Sequence, residues 1–131
     1  MHVHARVKSG AGAHAVSVGS GQATQDLAVA AKADGRGSSV NGGELLMLAL
    51  ATCYCNDLYR EAARLGIVLT GVEVEASAEF PGIGLAARDI RYSARVDSPA
   101  DARDIERLIA ETDAVAEIHN TLRAGVPVTL A

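Results

Sequence analysis

One stretch constrains this chain more than any other: Leu45-Leu46-Met47-Leu48-Ala49-Leu50-Ala51, seven residues without a polar side chain. Before it stands Asn41-Gly42-Gly43-Glu44, the spacing of a capping box with Asn41 as N-cap and Glu44 at N3. After it the pattern turns amphipathic, with Asn56, Asp57, Arg60, Glu61 and Arg64 on one wet face, and Gly66 supplies a stop. These signals predict one long helix from about Gly42 to Leu65. A helix apolar on every side must be covered on every side.

The rest of the chain is thin in bulky residues. Aromatics make up 3% of the 131 residues and Trp is absent, so the core is built from Ala, Val, Leu and Ile. Small side chains bury little apolar area each, and a core of this kind predicts an oligomer. The length predicts a single domain over residues 1–131. A net charge of −4 without a Lys/Arg cluster argues against nucleic acid. No run of 18 apolar residues exists, so no membrane helix is predicted. The alternating start Met1–Val7 has no leader-like apolar region, and two Cys make no disulfide framework; a cytoplasmic protein is expected.

Before the helix, Val3–Val7, Ala15–Val18 and Gln25–Ala30 read as strands of a meander, followed by a Gly/Ser-rich loop, Ala31–Gly43. After it, Val72–Phe80 and Ile90–Val96 alternate apolar and polar residues across Pro81-Gly82-Ile83-Gly84. That is a hairpin with one buried face and an outer face that sets Glu against Arg. Ser98-Pro99 reads as the start of a helix with Ser98 as cap. A shorter helix is expected from about Asp113 to Ala124, ended by Gly125, and a last strand over Val126–Leu130. The order βββ-α-ββ-αα-β is α+β.

Chemistry concentrates at Cys53-Tyr54-Cys55. On a helix the two thiols point about 200° apart and form neither a disulfide nor a chelate. Each is either a functional thiol or a small buried apolar residue, the commoner fate of a free Cys. Cys53 shares a helix side with Asn56, Asp57 and Arg60. Arg60 lies about 10 Å along the axis, too far to touch the sulfur, so activation needs a cation from another segment or subunit. Glu44, about 13 Å along the axis, caps the helix or orients a partner. His2 and His4 share a strand face, but without Cys or carboxylate nearby no metal is expected. His14 and His119 read as surface residues. No phosphate loop, dinucleotide fingerprint or other cofactor motif is present.

Glu44-Leu45-Leu46-Met47-Leu48-Ala49-Leu50-Ala51-Thr52-Cys53 resembles the Glu-Leu-Leu-x-x-Ala-Leu-Ala-x-Cys helix of the OsmC/Ohr family. Gly66-Ile67 through Gly71-Val72-Glu73-Val74 is similar to its next strand, and Asn120-Thr121-Leu122-Arg123-Ala124-Gly125-Val126 to its C-terminal segment. The resemblance implies antiparallel sheets wrapped around a long central helix in an intertwined homodimer. It implies reduction of organic hydroperoxides by a Cys that becomes sulfenic acid, with Cys53 in that position. The resolving Cys of the family falls on Ala116. The activating Arg falls in the turn Gly10-Ala11-Gly12-Ala13, where no Arg stands. The family's partner Glu falls on Gly43 or Glu44. Arg36 in the long loop is the nearest substitute cation. An external thiol must then reduce the sulfenic acid, and without a cation Cys53 titrates like a free thiol, at about 8.5. Two functions stay open: a Cys53 peroxidase with Glu44 and Arg36 in support, or a non-catalytic dimer that binds a small apolar molecule beside Cys53.

Overall fold

The computed structural model describes residues 1–131 and contains two compact units, Met1–Leu45 and Leu46–Ala131. The first holds a three-stranded antiparallel sheet in the order β1-β2-β3, with β1 Val3–Gly10, β2 Ala13–Ser20 and β3 Ala23–Leu27. The β1–β2 strands are longer than their apolar alternation predicts, because a two-residue turn joins them. Ala11 and Gly12 both take positive φ (47° and 79°), the conformation that matches strand twist. β3 stops at Leu27, short of the expected Ala30. None of residues 1–45 is buried.

Helix α1, Gly42–Leu65, begins in the first unit and occupies the start of the second. Its bounds are those read from the sequence. The capping box forms: the Glu44 N–H donates to Asn41 Oδ1 and the Asn41 N–H to Glu44 Oε2, both at 2.8 Å. At the other end Gly66, at φ 70°, lets its N–H reach Ala63 O and the Ile67 N–H reach Ala62 O. That pair of bonds closes the last turn as a Schellman motif.

In the second unit α1 packs with the hairpin β4 (Gly71–Glu79)–β5 (Arg88–Asp97) and with α2 (Ala102–Val115). The core is Tyr54, Leu58 and Ala62 from α1, Leu108 from α2, and Ala116. Val72, Val74, Tyr92, Ala94 and Val96 pack against it, as the period-two pattern requires. On the outer face Glu73 and Arg95 are register partners and pair at 2.8 Å. Phe80 and Ile90 lie beyond this core and are exposed.

Three expectations need correction. The cap of α2 is Asp101, whose side chain accepts from the Asp104 N–H; Ser98 instead holds the preceding turn through Val68 O and the Ala100 N–H. The second short helix, α3, spans Glu117–Ala124 and not Asp113–Ala124, because Ala116 turns extended (ψ 106°) while fully buried. No strand forms over Val126–Leu130, since nothing in the chain pairs with it, and Val128 and Leu130 stand open to solvent. Within one chain the apolar start of α1 is only partly covered, and Leu45 and Leu48 are exposed. No helix is long and apolar enough to cross a membrane.

Candidate functional site around Cys53

The residues at i+4, i+7, i+8 and i+11 from Cys53 are Asp57, Arg60, Glu61 and Arg64, a single stripe along α1. The stripe was expected to be wet throughout. Asp57 and Glu61 are instead buried, covered by the arginines that pair with them. Arg60 Nη1 lies 2.9 Å from Asp57 Oδ1, and Arg64 Nε 2.5 Å from Glu61 Oε2. Arg64 continues to Glu111 Oε2 at 2.5 Å, which also receives Arg107 at Oε1.

α3 completes the site. Its first residue, Glu117, brings Oε2 to 3.8 Å from Cys53 Sγ, while Asp57 Oδ2 lies 3.6 Å from the same sulfur. Arg60 Nη1 reaches Glu117 Oε1 at 3.5 Å, so one guanidinium bridges both carboxylates. Arg60 therefore acts on the thiol through its carboxylate neighbours, as its distance along the helix requires. Sequence spacing suggested Asp57 but missed Glu117, which is 64 residues from Cys53. Its one signal is adjacency to Ala116, the position that resemblance gave to a resolving thiol.

Burial pushes the Cys53 thiol above its ordinary range, and the charges of Asp57 and Glu117 push the same way. Against them the backbone N–H of Ile118, in the first turn of α3, hydrogen-bonds the sulfur and favours thiolate. The two carboxylates are driven apart. Asp57 is held above the usual carboxylate range by burial and by Glu117, against Arg60. Glu117 is held below it, first by its own backbone N–H at the helix start. The donor atoms of Cys53, Asp57 and Glu117 lie within 4.8 Å of one another. The positive charge at this cluster is already supplied by Arg60, and no metal is assigned to it.

Glu44 and Arg36, the other predicted site residues, lie in the first unit. Glu44 is occupied by the capping box. Arg36 is exposed in the loop before α1, where its N–H donates to Asp34 Oδ1. Cys55 is a half-buried free thiol. His2 and His4 stack with ring centroids 5.8 Å apart on an exposed strand.

The two histidines expected at the surface are not there. His14 is half-buried and its Nε2 bonds Ser38 Oγ at 2.7 Å. His119 is 4% exposed, packed against Tyr54 and Tyr92 with centroids 5.6 and 4.4 Å away. Neither ring nitrogen of His119 has a partner. The surrounding polar tips are bound elsewhere: Tyr54 OH donates to Ile109 O, and Tyr92 OH to Asp113, which also pairs with Arg123 at 2.6 Å.

The chain's fold is found among solved OsmC-like structures. An OsmC-like protein from Mycoplasma pneumoniae shares 19% identity over 93% of this chain and 86% of its own, with a TM-score of 0.65. An organic hydroperoxide resistance protein OsmC from Legionella pneumophila, also described as a predicted redox protein, shares 20% identity over 99% of this chain and 95% of its own (TM-score 0.62). An OsmC-like protein of unknown function from Vibrio cholerae aligns over 92% of this chain and 91% of its own at 12% identity (TM-score 0.56). Among curated proteins, none matches in sequence. The family model described as OsmC-like protein matches residues 35–131, from the loop before α1 through Cys53 and Glu117 to the end, and the chain belongs to that family.

Proposed function

We propose that this chain, acting as one OsmC-like domain, is a Cys53-dependent peroxidase that reduces organic hydroperoxides. The observation that carries the reading is the placement of Cys53. Its sulfur meets the first turn of a second helix and a network of ionisable side chains, where a core thiol would meet only apolar neighbours. Membership of the family, and a structural relative described as an organic hydroperoxide resistance protein, support the substrate class. Cys53 is the nucleophile. Its sulfur takes the distal peroxide oxygen, the O–O bond breaks, and an alcohol leaves. With Ala116 in place of a second thiol, an external thiol reduces the sulfenic acid. Glu44 fixes the N-terminus of α1, and Arg36 is the cation offered by the loop before it.

The working form is a homodimer. A three-stranded sheet with no buried residue needs an apolar partner, and so do the exposed Leu45 and Leu48 on α1. A second copy of the chain supplies that cover.

A second reading has one observation behind it: two carboxylates lie 3.6 and 3.8 Å from the Cys53 sulfur and, with its burial, favour the protonated thiol, which suits a group lining a binding site better than one that reacts. Steady-state consumption of cumene hydroperoxide with a dithiol separates the two. The wild type consumes peroxide faster than Cys53→Ser by at least tenfold, and Arg36→Ala falls between them. Equal consumption by wild type and Cys53→Ser leaves only the binding reading.

A further inference from the structure

Resting on the peroxidase reading, we propose that Asp57 is the proton carrier of the Cys53 reaction: its Oδ2 takes the thiol proton and passes it to the oxygen that leaves the peroxide.

A thiol that holds its proton at neutral pH needs a base within hydrogen-bond reach and, once the O–O bond breaks, an acid for the departing alkoxide. Two carboxylates touch Cys53 Sγ, and their environments differ. Asp57 is 5% exposed, and its Oδ2 receives the Cys53 S–H at 3.6 Å. Glu117 is farther, at 3.8 Å, and its side chain is 65% exposed. The groups facing Asp57 are Cys53 and Arg60 from α1 and Glu117 from α3; Glu61 is linked to it through Arg60. Arg60 meets Asp57 at Oδ1, 2.9 Å away, while Oδ2 faces the sulfur beside the Glu117 carboxylate. Burial and the neighbouring charge of Glu117 make Asp57 the better proton holder, while Glu117 stays ionised. Two titratable groups pushed in opposite directions mark an assignment of roles.

The step balances with one hydroperoxide and no other reactant. The S–H proton moves to Asp57 Oδ2 and the sulfur attacks the distal oxygen. An S–O bond forms, the O–O pair leaves with the alkoxide, and Asp57 returns the proton to give the alcohol. Sulfur is oxidised by two electrons and the peroxide reduced by two.

The test is single-turnover sulfenic acid formation with cumene hydroperoxide from pH 5 to 9, beside alkylation by iodoacetamide. Wild type gives a bell, its acidic limb set by Asp57. Asp57→Asn slows sulfenic acid formation by at least ~100-fold and replaces the bell with a curve that rises with pH. The same substitution removes a negative charge from the thiol, so iodoacetamide alkylation at pH 7 is equal or faster. A role in packing alone slows both reactions together and overturns the proposal, as does a wild-type rate in Asp57→Asn. Glu117→Gln, at an exposed position, covers the case in which Asp57→Asn does not fold. Its acidic limb moves to lower pH, and an unmoved limb overturns the proposal. Absence of sulfenic acid in wild type itself removes the peroxidase reading, and this proposal with it.

Discussion

At Cys53 the sulfur faces two carboxylates, Asp57 and Glu117, with one guanidinium shared between them. A reagent that carries negative charge approaches such a thiol against the local field. Iodoacetate is therefore expected to alkylate Cys53 several-fold more slowly than iodoacetamide, relative to the same pair on a free thiol. The gap closes in Glu117→Gln, and competing-reagent mass spectrometry reads it. A ratio like that of free cysteine contradicts the arrangement. Cys53 and Asp57 were legible in the sequence because helical spacing joins i and i+4. Glu117 was not, because its approach depends on how α3 packs. His119 is the sharper failure: polarity suggested the surface, while two tyrosines enclose it. Burial and Arg123 hold its pKa below 6.5, against Asp113. An unfolded chain then takes up the proton first as pH falls. The contribution of neutral His119 to stability is complete above about 6.5 and is lost as pH falls toward the folded value. His119→Phe removes both unpaired nitrogens. Its stability relative to wild type, from urea unfolding, rises as pH goes from 7 to 5; a constant difference refutes this role.

Among the elements, α1 was readable end to end because every local signal agreed: capping box, apolar run and stop glycine. The stop can be tested. Gly66 sits at φ 70° with open space around a hypothetical Cβ. Gly66→Ala therefore costs only the left-handed backbone, about 1–2 kcal/mol, measured by chemical denaturation. A neutral substitution would mean that the helix end is held by something else. The β4–β5 hairpin was legible by alternation, with its Glu-against-Arg face realised at Glu73 and Arg95. The break between α2 and α3 was not, because the sequence from Asp113 to Ala124 supports helix throughout. At the bend Ala116 is extended and fully buried, a packing feature that local signals do not carry. Over Val126–Leu130 alternation gave a real strand signal, but a strand also needs a neighbour to bond with.

For the whole molecule, the thin composition and the structure point the same way. The fully buried apolar set is six residues, all in the second unit, while large apolar side chains stay open in both. Sedimentation equilibrium at micromolar concentration is expected to give twice the 13.5 kDa of one chain. Leu48→Glu, on the exposed face of α1, breaks that pairing; a folded single chain for wild type contradicts it. Intact-mass spectrometry after one equivalent of cumene hydroperoxide, with dimedone present to trap sulfenic acid, reads whether the Cys53 sulfur takes a peroxide oxygen. One adduct per chain is expected, located at Cys53 and lost in Cys53→Ser. An unmodified chain, or an adduct at Cys55 alone, contradicts it.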